Sequence, residues 1–384
     1  MLKVTGIICE YNPLHLGHKK QLDTIRSTQG QDTGIVCLMS GNFVQRGAPA
    51  ILDKSLRAKA AILCGADLVL ELPVTAALSS AEGFASEGVR LLSGFCNTLC
   101  FGAESADKER LLSTAQALLC PDFSTHLRTQ LDKGLSFPAA RQTALEAMGI
   151  DPGLVREPNN ILAVEYCKAI LSQGSSLSPL PIHRVGCYHD QTPDVQEPSA
   201  TAVRALMQQA QDWSAFVPTQ AASFFRNAPL HSLEHGERAI LAKLRSMTDA
   251  DFEALPYGTE GLWRKLMHAA RREATLETVA CAVKSKRYTR SRIDRMILCA
   301  FLGLTRQDLE TPAPYARVLA FTDRGREILK NAREIGWYPN IGEPMDHPYQ
   351  ALEYRSNDLY GLFSEGVPLP AGQEAKRRVY YHTT

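Results

Sequence analysis

The sequence predicts an α/β fold with a parallel sheet in its first half and a second, mainly α-helical domain after it. Three observations predict this. Short apolar runs alternate with helix-forming stretches through residues 4–119. The first run ends in Asn12-Pro13 and opens directly into His15-x-Gly17-His18. Beyond residue 215 the Leu, Ala and Arg positions follow helical spacing.

The elements follow in order. Val4–Cys9 is a short apolar run, and a helix is expected over about 17–27. Gly34–Met39 is the second run, followed by a loop and an Ala/Leu-rich helix near Lys54–Cys64. Asp67–Leu72 is the third, with a helix near Ser80–Leu92, and Thr98–Phe101 is the fourth, with a helix near Lys108–Leu119. Runs of four to six mainly apolar residues, without polar alternation, suit strands covered on both faces. Right-handed crossovers then bring the loops after the first and fourth strands to the carboxyl edge, where open α/β sheets bind ligands. Residues 124–171 read as helical, Pro181–Cys187 as one more strand and Ser199–Gln209 as one more helix. Helical stretches recur at 236–247, 260–272, 275–283 and 290–303. The expected division is residues 1–215, a ligand-binding α/β domain, and residues 216–384, a helical one.

Composition narrows the class. The 384 residues are 45% apolar and 22% charged, which excludes a disordered chain. No apolar run reaches the roughly 18 residues that span a bilayer, and the first residues lack the apolar core of a signal peptide. Ten dispersed cysteines without a CxxC pair read as reduced, buried small hydrophobes, and the expected location is the cytoplasm. No metal-ligand cluster is evident. The net charge of +1 hides an uneven spread: residues 281–300 hold six basic residues (Lys284, Lys286, Arg287, Arg290, Arg292, Arg295) against Asp294 alone. Tyr288 lies among them. A cationic stretch with an embedded aromatic can hold phosphates and stack a splayed base; a solvated helix face is the plain alternative. Smaller basic clusters occur at Arg264-Lys265, Arg271-Arg272 and Lys376-Arg377-Arg378.

The motif after the first strand carries the chemistry. Asn12-Pro13 ends the strand, His15 and His18 are three apart and share one side of a starting helix, and Gly17 removes a side chain between them. A helix N-terminus offers free N–H groups and partial positive charge, which suits phosphate. Two imidazoles there can bind phosphate oxygens and stabilise charge developing at an α-phosphate. A zinc site lacks a third ligand at sensible spacing. Asn12-Pro13-x-His15-x-Gly17-His18 resembles the HxGH signature of the nucleotidyltransferases related to class I aminoacyl-tRNA synthetases. Ser199-Ala200-Thr201-Ala202-Val203-Arg204 resembles their second signature, a hydroxyl-rich helix start with a cation for the pyrophosphate end of ATP. A Rossmann-like nucleotidyltransferase sheet is the fold this implies.

Further segments resemble one family within that group, the bacterial tRNA(Met) cytidine acetate ligases. They are Glu10-Tyr11-Asn12-Pro13, Ser40–Gly47, Phe101-Gly102-Ala103-Glu104, Pro158–Ala163, His183–Gly186 and Lys286–Arg290. The resemblance runs in order over about residues 1–330. It implies an enzyme that makes acetyl-adenylate and pyrophosphate from acetate and ATP, with Mg2+. The acetyl group then passes to N4 of the wobble cytidine, position 34, of elongator tRNA(Met). It implies an ATP site of Ile7, Glu10, Tyr11, Asn12, Pro13, His15, Gly17, His18, Lys20, Gly102, Asn160 and Arg184, with Ser199, Thr201 and Arg204. His15 and His18 would be catalytic. Lys284, Lys286, Arg287, Tyr288, Arg290 and Arg292 would meet tRNA. On the residues alone, Gly102 also reads as a turn glycine and Asn160 as a helix cap. Arg184 within a strand calls for an anionic partner. Loop 40–47 reads equally as an acetate or phosphate site and as a structural loop. The competing function is a small-molecule adenylyltransferase of the mononucleotide or phosphopantetheine type, which needs neither a second domain nor a basic segment.

Overall fold

The computed structural model describes residues 2–184, 198–334 and 348–383. Its centre is a seven-stranded sheet of β1 (Val4–Cys9), β2 (Gly34–Ser40), β3 (Leu68–Leu72), β4 (Thr98–Ala103), β5 (Ser178–His183), β6 (Arg317–Thr322) and β7 (Tyr380–His382). The order across the sheet is β5-β4-β1-β2-β3-β6-β7. The first five are mutually parallel, with Thr5 of β1 opposite Ile35 of β2 and Thr98 of β4. β6 runs antiparallel to β3, and β7 pairs parallel with β6. The fifth strand expected at Pro181–Cys187 lies earlier, at Ser178–His183; residues 185–187 fall outside the described residues.

Both faces of the sheet are covered. On β2, Val36 and Leu38 join the core under helices Ala81–Leu92, Lys108–Leu119 and Pro158–Ser172. Ile35, Cys37 and Met39 point the other way, into the core under α1 (Leu16–Gln29), α2 (Lys54–Leu63) and helix Ala200–Gln208. The sequence in this region is therefore apolar without alternation, because neither face meets water.

The division at residues 215 and 216 does not divide the sheet. β6 and β7 come from the second half, and that half is therefore not only helical. Its helices Leu233–Ser246, Leu262–Arg272, Leu276–Val283 and Arg290–Leu302 build a core that also takes in Phe43, Val74 and Leu78 of the first half. Gly47, at φ +81°, lies against the backbone of Asp294 and Arg295; a Cβ there would sit 2.5 Å from the Arg295 nitrogen. The last segment is tied in by charge. Lys54, fully buried, bonds Glu71 at 2.7 Å and Glu374 at 2.6 Å. Arg377 pairs with Asp53 at 2.6 Å and with Glu374 at 2.8 Å. Of the basic cluster Lys376-Arg377-Arg378, Arg377 is therefore held within the protein by carboxylates. Among the described residues nine cysteines are free thiols and most are buried, as expected; Cys281 is exposed instead.

Candidate functional site

β1 and β4 are neighbours, and their carboxyl ends open into a cleft of about 1230 Å³. The cleft is lined by Glu10, Tyr11, Asn12, His15, Gly17, His18, Lys20, Gly102, Arg184, Ser199, Thr201 and Arg204, twelve of the fifteen residues expected at an ATP site. Ile7, Pro13 and Asn160 are buried and do not line it. Ile7 alternates away into the core beneath α1 and α2. Asn160 is turned inward, its side-chain oxygen accepting from the Ser105 amide at 2.9 Å, and Asn159 takes the place on the cleft wall.

The local geometry follows from the motif. Tyr11 adopts a left-handed φ of +45° as the chain leaves β1. His15 then caps α1 with extended backbone, and its amide donates to His18 Nδ1 at 3.3 Å. The two imidazoles stack, centroids 3.7 Å apart and planes 26° from parallel. Gly17 makes room for this: a Cβ there would lie 3.0 Å from His15 Cε1 and 3.1 Å from Nδ1. Both ring nitrogens of His15 are buried without a hydrogen-bond partner. Burial, reinforced by the nearby Arg184 and Arg204 cations, pushes the His15 pKa down to about 3. Burial, His15 and Arg184 push His18 down as well. Both rings are neutral at pH 7, each with one N–H and one bare nitrogen.

The cations are placed by backbone. Arg204 is in helix Ala200–Gln208, whose N-cap Ser199 accepts from the Ala202 amide at 3.0 Å; its guanidinium donates to the Asn12 carbonyl at 2.7 Å and to Thr201 Oγ1 at 3.1 Å. Arg184 is half-buried just after β5 rather than within it, and its guanidinium reaches Asn159 Oδ1 at 3.5 Å. Gly102, opposite it at the end of β4, would bring a Cβ to 3.6 Å from Arg184 Cδ. The Glu104 carboxylate accepts the Asn159 and Asn160 amides at 3.2 Å and 2.7 Å, holding the start of helix Pro158–Ser172 against the sheet. From loop 40–47, Val44, Gln45 and Arg46 reach the cleft, and the Gln45 amide donates to Glu10 Oε1 at 2.9 Å. The opposite wall holds His231, Ser232, Glu234, His235 and Glu365, none of which stands in a recognisable motif.

The basic stretch 281–300 differs from its expected form. Tyr288 is 4% exposed, with the Arg292 and Lys265 cations over its ring at 5.2 Å and 5.8 Å, and cannot stack a base. Arg290 bonds Glu277 at 2.7 Å and Asp294 at 2.8 Å, and Arg292 donates to the Tyr257 carbonyl at 2.9 Å. Arg295 donates to the Gln45 carbonyl at 3.1 Å. Lys284, Lys286 and Arg287 stay exposed, Arg287 beside Glu260 at 2.6 Å.

A parallel sheet whose first strand ends in a stacked HxGH pair defines a nucleotidyltransferase site, and the family model described as HIGH Nucleotidyl Transferase matches residues 2–372. A tRNA(Met) cytidine acetate ligase of Clostridium novyi is 37% identical over 95% of this chain and 96% of its own length. That of Acetivibrio thermocellus is 33% identical over 98% and 99%. The crystal structure of apo Thermotoga maritima TmcAL superposes with a TM-score of 0.91 at 30% identity, covering all of both chains. A second form of that protein, bound with alpha-thio ATP, gives 0.89. The chain belongs to the tRNA(Met) cytidine acetate ligase family, within the HIGH nucleotidyl transferases. Among the described residues no helix is long and apolar enough to cross a membrane.

Proposed function

We propose that this chain is an ATP-dependent ligase that activates acetate as acetyl-adenylate and acetylates N4 of the wobble cytidine, position 34, of elongator tRNA(Met). The observation that carries the reading is the stacked, neutral His15–His18 pair beside Arg184 and Arg204, in a chain alike over its full length to tRNA(Met) cytidine acetate ligases. The acetate carboxylate attacks the α-phosphate of ATP in line, and pyrophosphate leaves. His15 and His18 supply uncharged N–H donors to the charge that grows on the α-phosphate, and Arg204 supplies a cation. Ser199, Thr201 and Arg204 take the pyrophosphate end, and Gly102 lets the ribose or adenine approach the main chain. Mg2+ would enter with the triphosphate and offset its charge, since among the described residues no cluster of His, Cys, Asp or Glu would hold it. No nucleophilic side chain is needed, because the mixed anhydride is itself the acyl donor.

Lys284, Lys286 and Arg287 form the phosphate-contacting surface for tRNA, with Arg290 and Arg292 ordering the helix behind them. An enzyme using ATP and tRNA in this way works in the cytoplasm. Incubation with ATP, labelled acetate and bulk tRNA, followed by nucleoside analysis, tests the reading. Label is expected in N4-acetylcytidine, and His18→Ala is expected to lose acetate-dependent pyrophosphate release. Unlabelled tRNA together with an adenylylated small metabolite would favour the small-molecule adenylyltransferase.

A further inference from the structure

Among the described residues, two buried histidines have both ring nitrogens without a hydrogen-bond partner, His15 and His231, and both line the cleft. His231 lies 213 residues beyond His18 in a segment with no motif, yet the fold brings it to the wall of the same cleft. The Ile51 amide donates to Asn12 Oδ1 at 2.8 Å, and the Ile51 carbonyl accepts from the His231 amide at 3.0 Å. His231 is thus one peptide unit away from the motif that carries His15.

Its ring is held flat against Tyr360, centroids 4.1 Å apart and planes 13° from parallel, and the Tyr360 hydroxyl is fixed on the Ala50 carbonyl at 2.9 Å. Burial pushes the His231 pKa down to about 4, against the opposing pull of Asp53 and of the Ile51 and Pro229 carbonyls, neither of which reaches its ring in hydrogen-bonding geometry. The wall around it differs in charge from the end that holds Arg184 and Arg204. The segment at 230–235 is joined to 363–365 by the Glu365 amide on the Leu230 carbonyl at 2.8 Å, and its exposed rim carries the carboxylates of Glu234 and Glu365. Carboxylates repel phosphates and welcome amine donors, so this end of the cleft suits the edge of a base rather than the backbone of a nucleic acid.

We propose that His231 forms the subsite for the exocyclic amine of the acceptor cytosine and takes the proton which that amine sheds. The proposal rests on the acetate ligase reading. The amine nitrogen attacks the acetyl carbonyl carbon, a C–N bond forms, and the C–O bond to the adenylate breaks, with AMP leaving on that electron pair. The amine proton passes to the bare nitrogen of His231 and from there to water at the rim. An amine already bonded to the acyl carbon is strongly acidic, so a weakly basic imidazole suffices.

The test separates the two half-reactions in His231→Ala and the near-isosteric His231→Gln. Acetate-dependent exchange of pyrophosphate into ATP, measured without tRNA, is expected to stay within about twofold of the parent in both. Single-turnover transfer to tRNA is expected to fall by about 100-fold or more. In His231→Gln the amide still accepts a hydrogen bond, so KM for tRNA stays near normal while kcat falls. Transfer within about threefold of the parent, or exchange and transfer falling together in both variants, overturns the role of His231. A parent enzyme that shows neither acetate-dependent exchange nor N4-acetylcytidine overturns the ligase reading itself.

Discussion

Arg57 donates to the main-chain carbonyl of Glu10 at 2.6 Å from a side chain with no exposed surface. The same guanidinium reaches the Ser40 carbonyl at 3.1 Å, the Leu52 carbonyl at 2.9 Å and the Gly41 carbonyl. One cation from α2 therefore gathers the carboxyl ends of β1 and β2 at the point where the motif begins. Arg57→Met leaves these buried carbonyls without donors, at about 1–3 kcal/mol each. A stability loss of at least about 3 kcal/mol is expected in urea unfolding, and Arg57→Lys, with fewer and differently aimed donors, should fall between. A loss below about 1 kcal/mol for Arg57→Met would deny it this role.

Gly17 is expected to matter for rate more than for stability. In Gly17→Ala the new methyl meets the His15 ring inside van der Waals contact, 3.0 Å from Cε1, and the ring must give by a few tenths of an ångström against His18. A misplacement of about 1 Å can cost about 100-fold in rate, which bounds the effect of this smaller shift. Acetate-dependent pyrophosphate exchange should fall by about 10- to 100-fold while the melting midpoint moves little, since α1 gains a better helix former at that position.

Acid should destabilise the protein through its buried histidines. Burial holds His15 at about 3 and His231 at about 4, below the ordinary 6.5. Below pH 6.5 the unfolded chain takes up protons that the folded chain refuses, so stability is intact above 6.5 and is lost progressively as pH falls toward 4. The melting midpoint of His15→Gln should drop less than the parent's between pH 7 and 4.5. Equal drops would show that His15 is not among the groups responsible.

The exposed lysines and the paired arginines of the basic stretch should separate in tRNA binding. Lys284→Ala with Lys286→Ala removes two solvent-facing charges, and the slope of log affinity against log salt should flatten by about 0.7–0.9 per charge that contacts phosphate. Arg290→Ala breaks its bonds to Glu277 and Asp294 and should show mainly in melting. An unchanged slope in the double variant would place the tRNA elsewhere.

Much of the first half was legible in the residues. Each parallel strand is a short apolar run because the sheet is covered on both sides, and the helix starts follow from local capping groups such as Asp107 and Ser199. The histidine motif declares itself because its parts are contiguous. β6 did not, since Arg317–Thr322 follows a long helical stretch and its partner Leu68–Leu72 lies about 250 residues earlier. Tyr288 read as an available aromatic because spacing does not report burial; Glu260 and the cations around it decided otherwise.

The sequence by itself determined the five parallel strands, the helix that follows β1 and the pair His15 and His18 at its start. Those features depend on residues within a turn or two of one another, where periodicity, capping and chain breaks operate. Only the tertiary structure decided that the chain returns to complete the sheet, that Arg290 is occupied by carboxylates, and that His231 stands beside Asn12 across the Ile51 peptide. These are contacts between distant segments, set by packing of whole elements, and no local pattern encodes which of them will meet.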